Sequence, residues 1–385
     1  MRTTFYNARV ITPEVIIKGG VVVEGDKIVK VFKGDEYEKL DTLIDCKGKY
    51  ICPGFVDIHN HGTCNGLFFT SDAEELERAA IVMADHGTTT VVPTSPSATH
   101  DDILAFLKNV RNVMGHNKGS KLFGAHLEGN YFNLEFAGAQ NPAFIYPARE
   151  SEYMELIDTG VVKRVSASPE IEGCIEMGRK LSKMGILMSM AHSAATYDDV
   201  LRAIDAGYTH ITHIYNAISF LSNCYYYPRV GACEAALLHD EITVEAICDG
   251  RHVPAQLIKL MYKIKGADRF HAVTDACLAG AGSGAVKLFG LDCLVDDGVC
   301  MLADRSAFAG SVTTNDVELK ILVNDADIPL TDAVRMLSLT PAKAIGAKDV
   351  GRISEGFKAD INILDEELNV VYTMIDGNEY KNLMK

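Results

Sequence analysis

No apolar run in this 385-residue chain approaches the length needed to cross a bilayer. The opening residues, Met1-Arg2-Thr3-Thr4-Phe5-Tyr6, pass at once into alternating strand-like sequence, without the apolar stretch and cleavage site of a signal peptide. The expectation is no membrane association and a cytoplasmic location. Positive charge is scarce too. A formal net charge of −15 argues against nucleic-acid binding, which basic patches drive, but leaves room for a small anionic substrate in a local pocket. The ten cysteines include no Cys-x-x-Cys pair, and scattered thiols in a reducing compartment are expected to be free and buried. No internal repeat or low-complexity segment stands out.

What is present is apolar: 48% of the residues, enough for one large domain with an accessory or for two medium ones. The first fifty residues lack helix-length periodicity. Thr4 to Ile11, Ile16 to Glu24 and Lys27 to Phe32 are β-rich, with turn signals at Gly19-Gly20 and Glu24-Gly25-Asp26. At Cys52-Pro53-Gly54 the texture changes. Strand-like runs begin at Phe55, Thr88, Leu122, Val161, Ile186, Tyr208, Ile242 and Phe270, and helical patterns alternate with them. Several runs are apolar on both faces, as buried parallel strands are. Eight such alternations favour a closed (β/α)8 TIM-like barrel over an open doubly wound sheet.

A Gly-rich strand-and-turn insertion follows (279–309), then helical patterns at 315–324 and 331–339. The tail from Gly351 returns to β-like sequence. Two β-rich ends around a barrel suggest that residues 1–52 and 345–385 pair into a small discontinuous β-sandwich domain, leaving 53–344 as the barrel.

In barrels of this kind catalytic groups sit at the C-terminal strand ends. His59-Asn60-His61 ends the first run, His126-Leu127-Glu128 the third and His192 the fifth; His213 lies near the end of the sixth, and Asp275 ends the eighth. Residues two apart in a strand share a face, so His59 and His61 can chelate one ion together. Glu128 could bridge two ions, with His192 and His213 on the second. Nitrogen and oxygen donors without thiolate suit zinc, iron, manganese or nickel, and such an ion acidifies water and polarises a carbonyl. Asp275 is placed as general base for that water and acid for a leaving amine. His86, His100, His116 and His239 fall in helices or loops and read as structural, as do His210 and His271 early in their strands. His126 could orient a ligand.

These motifs resemble the amidohydrolase superfamily and, within it, the N-acetylglucosamine-6-phosphate deacetylases. Pro53-Gly54-Phe55-Val56-Asp57-Ile58-His59-Asn60-His61-Gly62 is similar to the superfamily's opening strand. His126-Leu127-Glu128-Gly129, Ala191-His192-Ser193-Ala194-Ala195-Thr196, Thr212-His213-Ile214-Tyr215-Asn216-Ala217, Val273-Thr274-Asp275-Ala276, Asp249-Gly250-Arg251-His252-Val253 and the tail from Gly351 to Asp360 extend the resemblance over essentially the whole chain. It implies Glu128, His192 and His213 as core metal ligands, with His59 and His61 adding a second metal position. One or two divalent ions per subunit follow, zinc foremost, with Asp275 both as a further metal ligand and as general acid/base at the centre. It further implies that Asn216, Ala217 and His252 contact a sugar phosphate, that acetate is removed from its 2-amino group, and that subunits pair as a homodimer closing the phosphate end.

The resemblance has gaps. Asn130 stands where the family has Pro, Gln140 where it has a substrate-contacting His, and Tyr225-Tyr226-Tyr227-Pro228-Arg229 where it has Arg-Glu-Pro-Gly. Either Arg229 or Arg251 supplies a guanidinium to the phosphate, or the substrate is another N-acetyl amino sugar (N-acetylgalactosamine 6-phosphate or an unphosphorylated sugar) whose ring stacks on the tyrosines. The tyrosines could equally pack at a dimer interface. A dihydropyrimidinase- or deaminase-like member of the superfamily is a further alternative. The first of these bridges its metals with a carboxylated lysine, and here Lys163 lies near the start of its strand. A non-enzymatic sugar-phosphate sensor is expected to lose Asp275 or the ligands, and neither is lost.

Overall fold

The computed structural model describes residues 2–34 and 42–384; the parts of the expected small domain at Met1, 35–41 and Lys385 lie outside the described residues. The eight strands of the barrel are Phe55–Asn60, Thr88–Ser95, Ala125–Glu128, Val162–Ala167, Leu187–Met190, Tyr208–Ile211, Thr243–Ile247 and Phe270–Val273. Each pairs in parallel with the next. A two-residue strand, Lys121–Leu122, adds to the second. Closure between eighth and first comes just beyond the strand ends. Asn60 bridges Ala276, the Asp275 amide donates to His59 O at 2.9 Å, and the His61 amide donates to Ala276 O at 2.8 Å. The barrel therefore closes at the residues that carry its polar side chains.

Helices follow every strand: Ala73–Asp85, His100–Val113, Glu150–Ile157, Cys174–Lys183, Tyr197–Asp205, Ala232–Leu238, Ala255–Lys265 and, after the eighth, Asn315–Lys320, Leu330–Met336 and Leu339–Ala344. Their buried stripes pack on the strands to form one core with Phe55, Val91, Met188, Ile211 and Phe270, each such side chain contributing about 1.5–3 kcal/mol by burial. Local sequence sets the starts. Asp72 accepts from the Glu74 amide at 2.9 Å, and Thr196 with Asp199 closes a capping box. Glu150–Ile157 was not expected from sequence, since only Tyr153, Leu156 and Ile157 are buried in it.

The remaining strands of both chain ends form one eight-stranded network in which Ile361–Leu364 pairs antiparallel with Tyr50–Pro53. A bulge between Phe5 and Ala8 lets the first strand, Arg2–Ile11, pair with Thr42–Asp45 along one half and with Tyr50–Ile51 along the other. Phe5, Val10, Val21, Ile51, Ile361 and Tyr372 fill its core. Ile353 packs there too, whereas Ile345, Ala347 and Val350, expected with this unit, pack against Val56, Val92 and Val273 of the barrel. The insertion is a four-stranded antiparallel sheet, Gly284–Leu288, Leu291–Asp296, Val299–Leu302 and Phe308–Ser311. Its last strand is tied to the loop of Asp275: the Ser311 amide donates to Asp275 O at 2.8 Å. Among the described residues no helix is long and apolar enough to cross a membrane. Eight of the described cysteines are buried and free, but Cys64 is free and exposed.

Candidate active site

Glu128, the last residue of the third strand, is the hub of the barrel mouth. Its Oε1 lies 2.9 Å from His213 Nε2, 3.3 Å from His59 Nε2 and 3.5 Å from His192 Nε2, and its Oε2 lies 3.1 Å from His61 Nε2. All five side chains are buried. Asp275 Oδ1 stands beside them, 3.3 Å from His59 Nε2 and 3.4 Å from His61 Nε2. His192, His213 and Asp275 each fall two residues beyond their strands and hold left-handed backbone, φ 45°, 27° and 44°. Such conformations cost non-glycine residues about 1–3 kcal/mol each and persist where the surroundings hold them. Here they do: Ser168 Oγ donates to His192 O at 2.7 Å, and Glu170 accepts from Ser193 Oγ at 2.6 Å and from the Ala194 amide at 2.7 Å.

The donor chemistry fits a divalent cation. His192 Nδ1 faces Phe136 O at 2.9 Å, His213 Nδ1 faces Asn216 O at 3.1 Å, and His59 Nδ1 faces Glu245 at 2.9 Å. Each ring thus commits Nδ1 outward as a donor and turns Nε2 to the centre, the arrangement that ligating histidines adopt. His59 Nε2 is buried with no hydrogen-bond partner. Two three-residue groups, His59-His61-Glu128 and Glu128-His192-His213, bring their ligand atoms within 4.8 Å of one another and share Glu128. Burial raises the Glu128 pKa, yet the surrounding imidazoles hold the carboxyl well below its usual range. Burial also lowers the His59 imidazole pKa, but Asp275 and Glu128 outweigh it and hold it well above the usual value. The two carboxylates call for positive charge at Nε2, which a bound cation supplies in place of a proton.

The cavity above these atoms measures about 660 Å³, and Glu128, Gln140, His192, His213, Asn216, Ala217, His252, Asp275, His61 and Phe308 are among its lining residues. His252 lines it with Nδ1 held by Asp249 at 2.7 Å and with a buried, unpartnered Nε2. Gln140, expected to contact substrate, has both ends of its amide engaged: Nε2 donates to Glu128 Oε2 at 2.9 Å, and Oε1 accepts from the Ser97 amide at 2.7 Å. It therefore braces the Glu128 carboxylate. Arg251 is exposed, pairs with Asp297 at 3.0 Å and does not line the cavity.

Arg229 also lies outside the cavity lining, on an exposed hairpin (Ser222–Cys224 and Tyr227–Arg229) that sequence reasoning missed. Tyr225, Tyr226 and Tyr227 at its tip are 89%, 93% and 76% exposed, and none of the three lines the cavity of its own chain, whereas Tyr215 does. Lys163 packs beside the Phe123 ring, 5.6 Å from its centroid, and is not among the residues lining the cavity, which argues against the carboxylated-lysine alternative. His126 bonds to Thr94 and Ser166 and packs edge-on against the His59 ring, centroids 4.7 Å apart. Sequence reasoning also missed Arg164 and Glu245. Their signal is charge within otherwise apolar barrel strands.

The amidohydrolase family model matches residues 50–380. The N-acetylglucosamine-6-phosphate deacetylase of Haemophilus influenzae is 29% identical over 369 residues, 94% of each chain. The N-acetylgalactosamine-6-phosphate deacetylase of Escherichia coli O157:H7 is 30% identical over 343 residues, 87% of this chain and 89% of that one. Among solved structures, the N-acetylglucosamine-6-phosphate deacetylase of Pasteurella multocida superposes with a TM-score of 0.93 at 29% identity, covering 99% of this chain and 100% of that one.

Proposed function

This chain belongs to the amidohydrolase family, and from that premise we propose that it is a hydrolase of linear amide C–N bonds that converts N-acetylglucosamine 6-phosphate to glucosamine 6-phosphate and acetate. The observation that carries this reading is the convergence of four imidazole Nε2 atoms on Glu128 with Asp275 beside them. The site lies in a cavity of the size that small ligands occupy. His59, His61, Glu128, His192 and His213 would hold one or two divalent ions, zinc first, which supply Lewis acidity toward water and the amide carbonyl. Asp275 accepts a proton from the attacking water as its oxygen bonds the carbonyl carbon. It then returns the proton to the sugar nitrogen as the C–N bond breaks. His252 Nε2, with Asn216 and the backbone at Ala217, orients the sugar, and the Phe308 ring, its centroid 4.5 Å from that of His252, adds an apolar wall to the cavity.

Among the described residues, no lysine or arginine lines the cavity of one chain. The protein works in our reading as a cytoplasmic homodimer in which the hairpin of one copy, with its bare tyrosines, packs on its partner and brings Arg229 to the phosphate. Exposed apolar clusters of this kind mark interfaces. Arg229→Ala is expected to raise KM for a phosphorylated sugar roughly 10–100-fold, the loss of one charge-assisted bond, with little effect on a free sugar. An unchanged KM in a chain that sediments as a dimer would remove Arg229 from the site.

The substrate itself is tested by acetate release from N-acetylglucosamine 6-phosphate, N-acetylgalactosamine 6-phosphate and both free sugars. The reading requires the highest kcat/KM on the glucosamine phosphate. Preference for the galactosamine phosphate, the substrate in the name of the E. coli relative, would move the assignment to that epimer, and preference for a free sugar would end the phosphate reading.

A further inference from the structure

A second cluster of buried charge lies beneath the rim, inside the barrel. Arg164 of the fourth strand and Glu245 of the seventh are both fully buried and meet as a fork, one guanidinium nitrogen 2.6 Å from Oε2 and the other 2.8 Å from Oε1. Arg164 also donates to Thr212 Oγ1 at 2.9 Å and to Ile58 O at 3.3 Å. Glu245 Oε1 is 2.9 Å from His59 Nδ1 and accepts the His213 amide at 3.1 Å. Beneath, His210 Nε2 and His271 Nε2 lie 3.1 and 3.6 Å from Oε2, their rings stacked with centroids 4.9 Å apart.

His210, Glu245 and His271 are close enough together to suggest a third ion position. Arg164 already occupies both Glu245 oxygens, however, and an ion there would face a fixed positive charge. The cluster has a different use. A neutral imidazole carries a single N–H, so whichever nitrogen donates that proton fixes the other as the lone pair. We propose that Glu245, clamped by Arg164, is the positioning residue of the metal centre. It accepts the Nδ1 proton of His59, which leaves Nε2 as the ligand atom facing His61 and Glu128. By also holding the His213 amide, the same carboxylate ties the two donor groups together. The bidentate clamp keeps it ionised and aimed. This inference rests on reading the rim as a divalent-metal site.

Two variants separate positioning from bulk structure. In Glu245→Gln the amide oxygen turns to Arg164, which has only protons to offer. The amide nitrogen then faces His59 Nδ1, and the ring proton must move to Nε2. In Glu245→Asp the charge opposite Arg164 survives, but the carboxylate draws back from His59. After dialysis against graded chelator, metal retained per subunit is expected to show about 10–100-fold weaker binding in Glu245→Gln, the usual cost of an outer partner, and a smaller loss in Glu245→Asp. Independently, long-range 1H–15N spectra of zinc-loaded wild-type protein with labelled histidine should show His59 protonated at Nδ1.

A folded variant of either kind that holds metal as tightly as wild type would overturn the proposal, and so would a His59 ring protonated at Nε2. Wild-type protein that retains no divalent metal at any chelator concentration would instead overturn the metal reading on which it rests.

Discussion

Asp275→Asn is expected to lower kcat on the preferred sugar phosphate by about 10²–10⁴-fold, the range for loss of a general acid–base group. Metal content should stay near that of the unchanged protein. The side chain keeps its size and its place beside His59 and His61, and its backbone remains fixed by His59 O and Ser311. What is lost is the ability to take a proton from water and return it to nitrogen. Neither compact donor group includes Asp275, so the ions should remain. Steady-state kinetics with metal analysis on the same preparation checks both halves, and a fall of less than tenfold would assign proton transfer to another group.

Glu128→Gln should have a still broader effect, because this one carboxylate touches every converging imidazole and belongs to both donor groups. An amide offers one neutral oxygen in place of two charged ones, and four imidazoles lose their counter-charge. Metal binding is expected to weaken beyond the roughly 10–100-fold typical of a lost outer partner, and turnover should vanish with it. The same change should appear in stability. A ligand at a thousand times its Kd stabilises the folded state by about 4 kcal/mol, so the Tm of wild-type protein should climb with added divalent metal while that of Glu128→Gln stays flat. A variant whose Tm rises like that of wild type would show that the ion is held without Glu128.

Most of the architecture was legible in the sequence for a physical reason. Parallel barrel strands are buried on both faces and read as apolar runs, and the polar residues at their exits stand out against that background. The strand ends were less legible. His192, His213 and Asp275 lie beyond their ladders because their left-handed backbone leaves the β region, a bend that no local propensity signals. The Ser222–Arg229 hairpin is short and exposed, so it carries no burial pattern.

The parts of the site that were not legible depend on distant partners. Sequence gives the position of Gln140, which lines the cavity, but not its bonds to Ser97 and Glu128. Arg164 and Glu245 lie 81 residues apart, and only closure of the barrel brings them together under His59. His210 and His271 were read as structural from their early positions in their strands, yet they lean on Glu245, the carboxylate that faces His59.

The central claim is that these rim residues run a metal-dependent hydrolysis of an acetamide. Its most direct test is turnover of N-acetylglucosamine 6-phosphate in 18O-labelled water, before and after metal removal. The account predicts one primary amine for each acetate, one solvent oxygen in that acetate, loss of both products on chelation and their return when a divalent ion is restored. Undiminished release of amine from fully metal-free protein would contradict it.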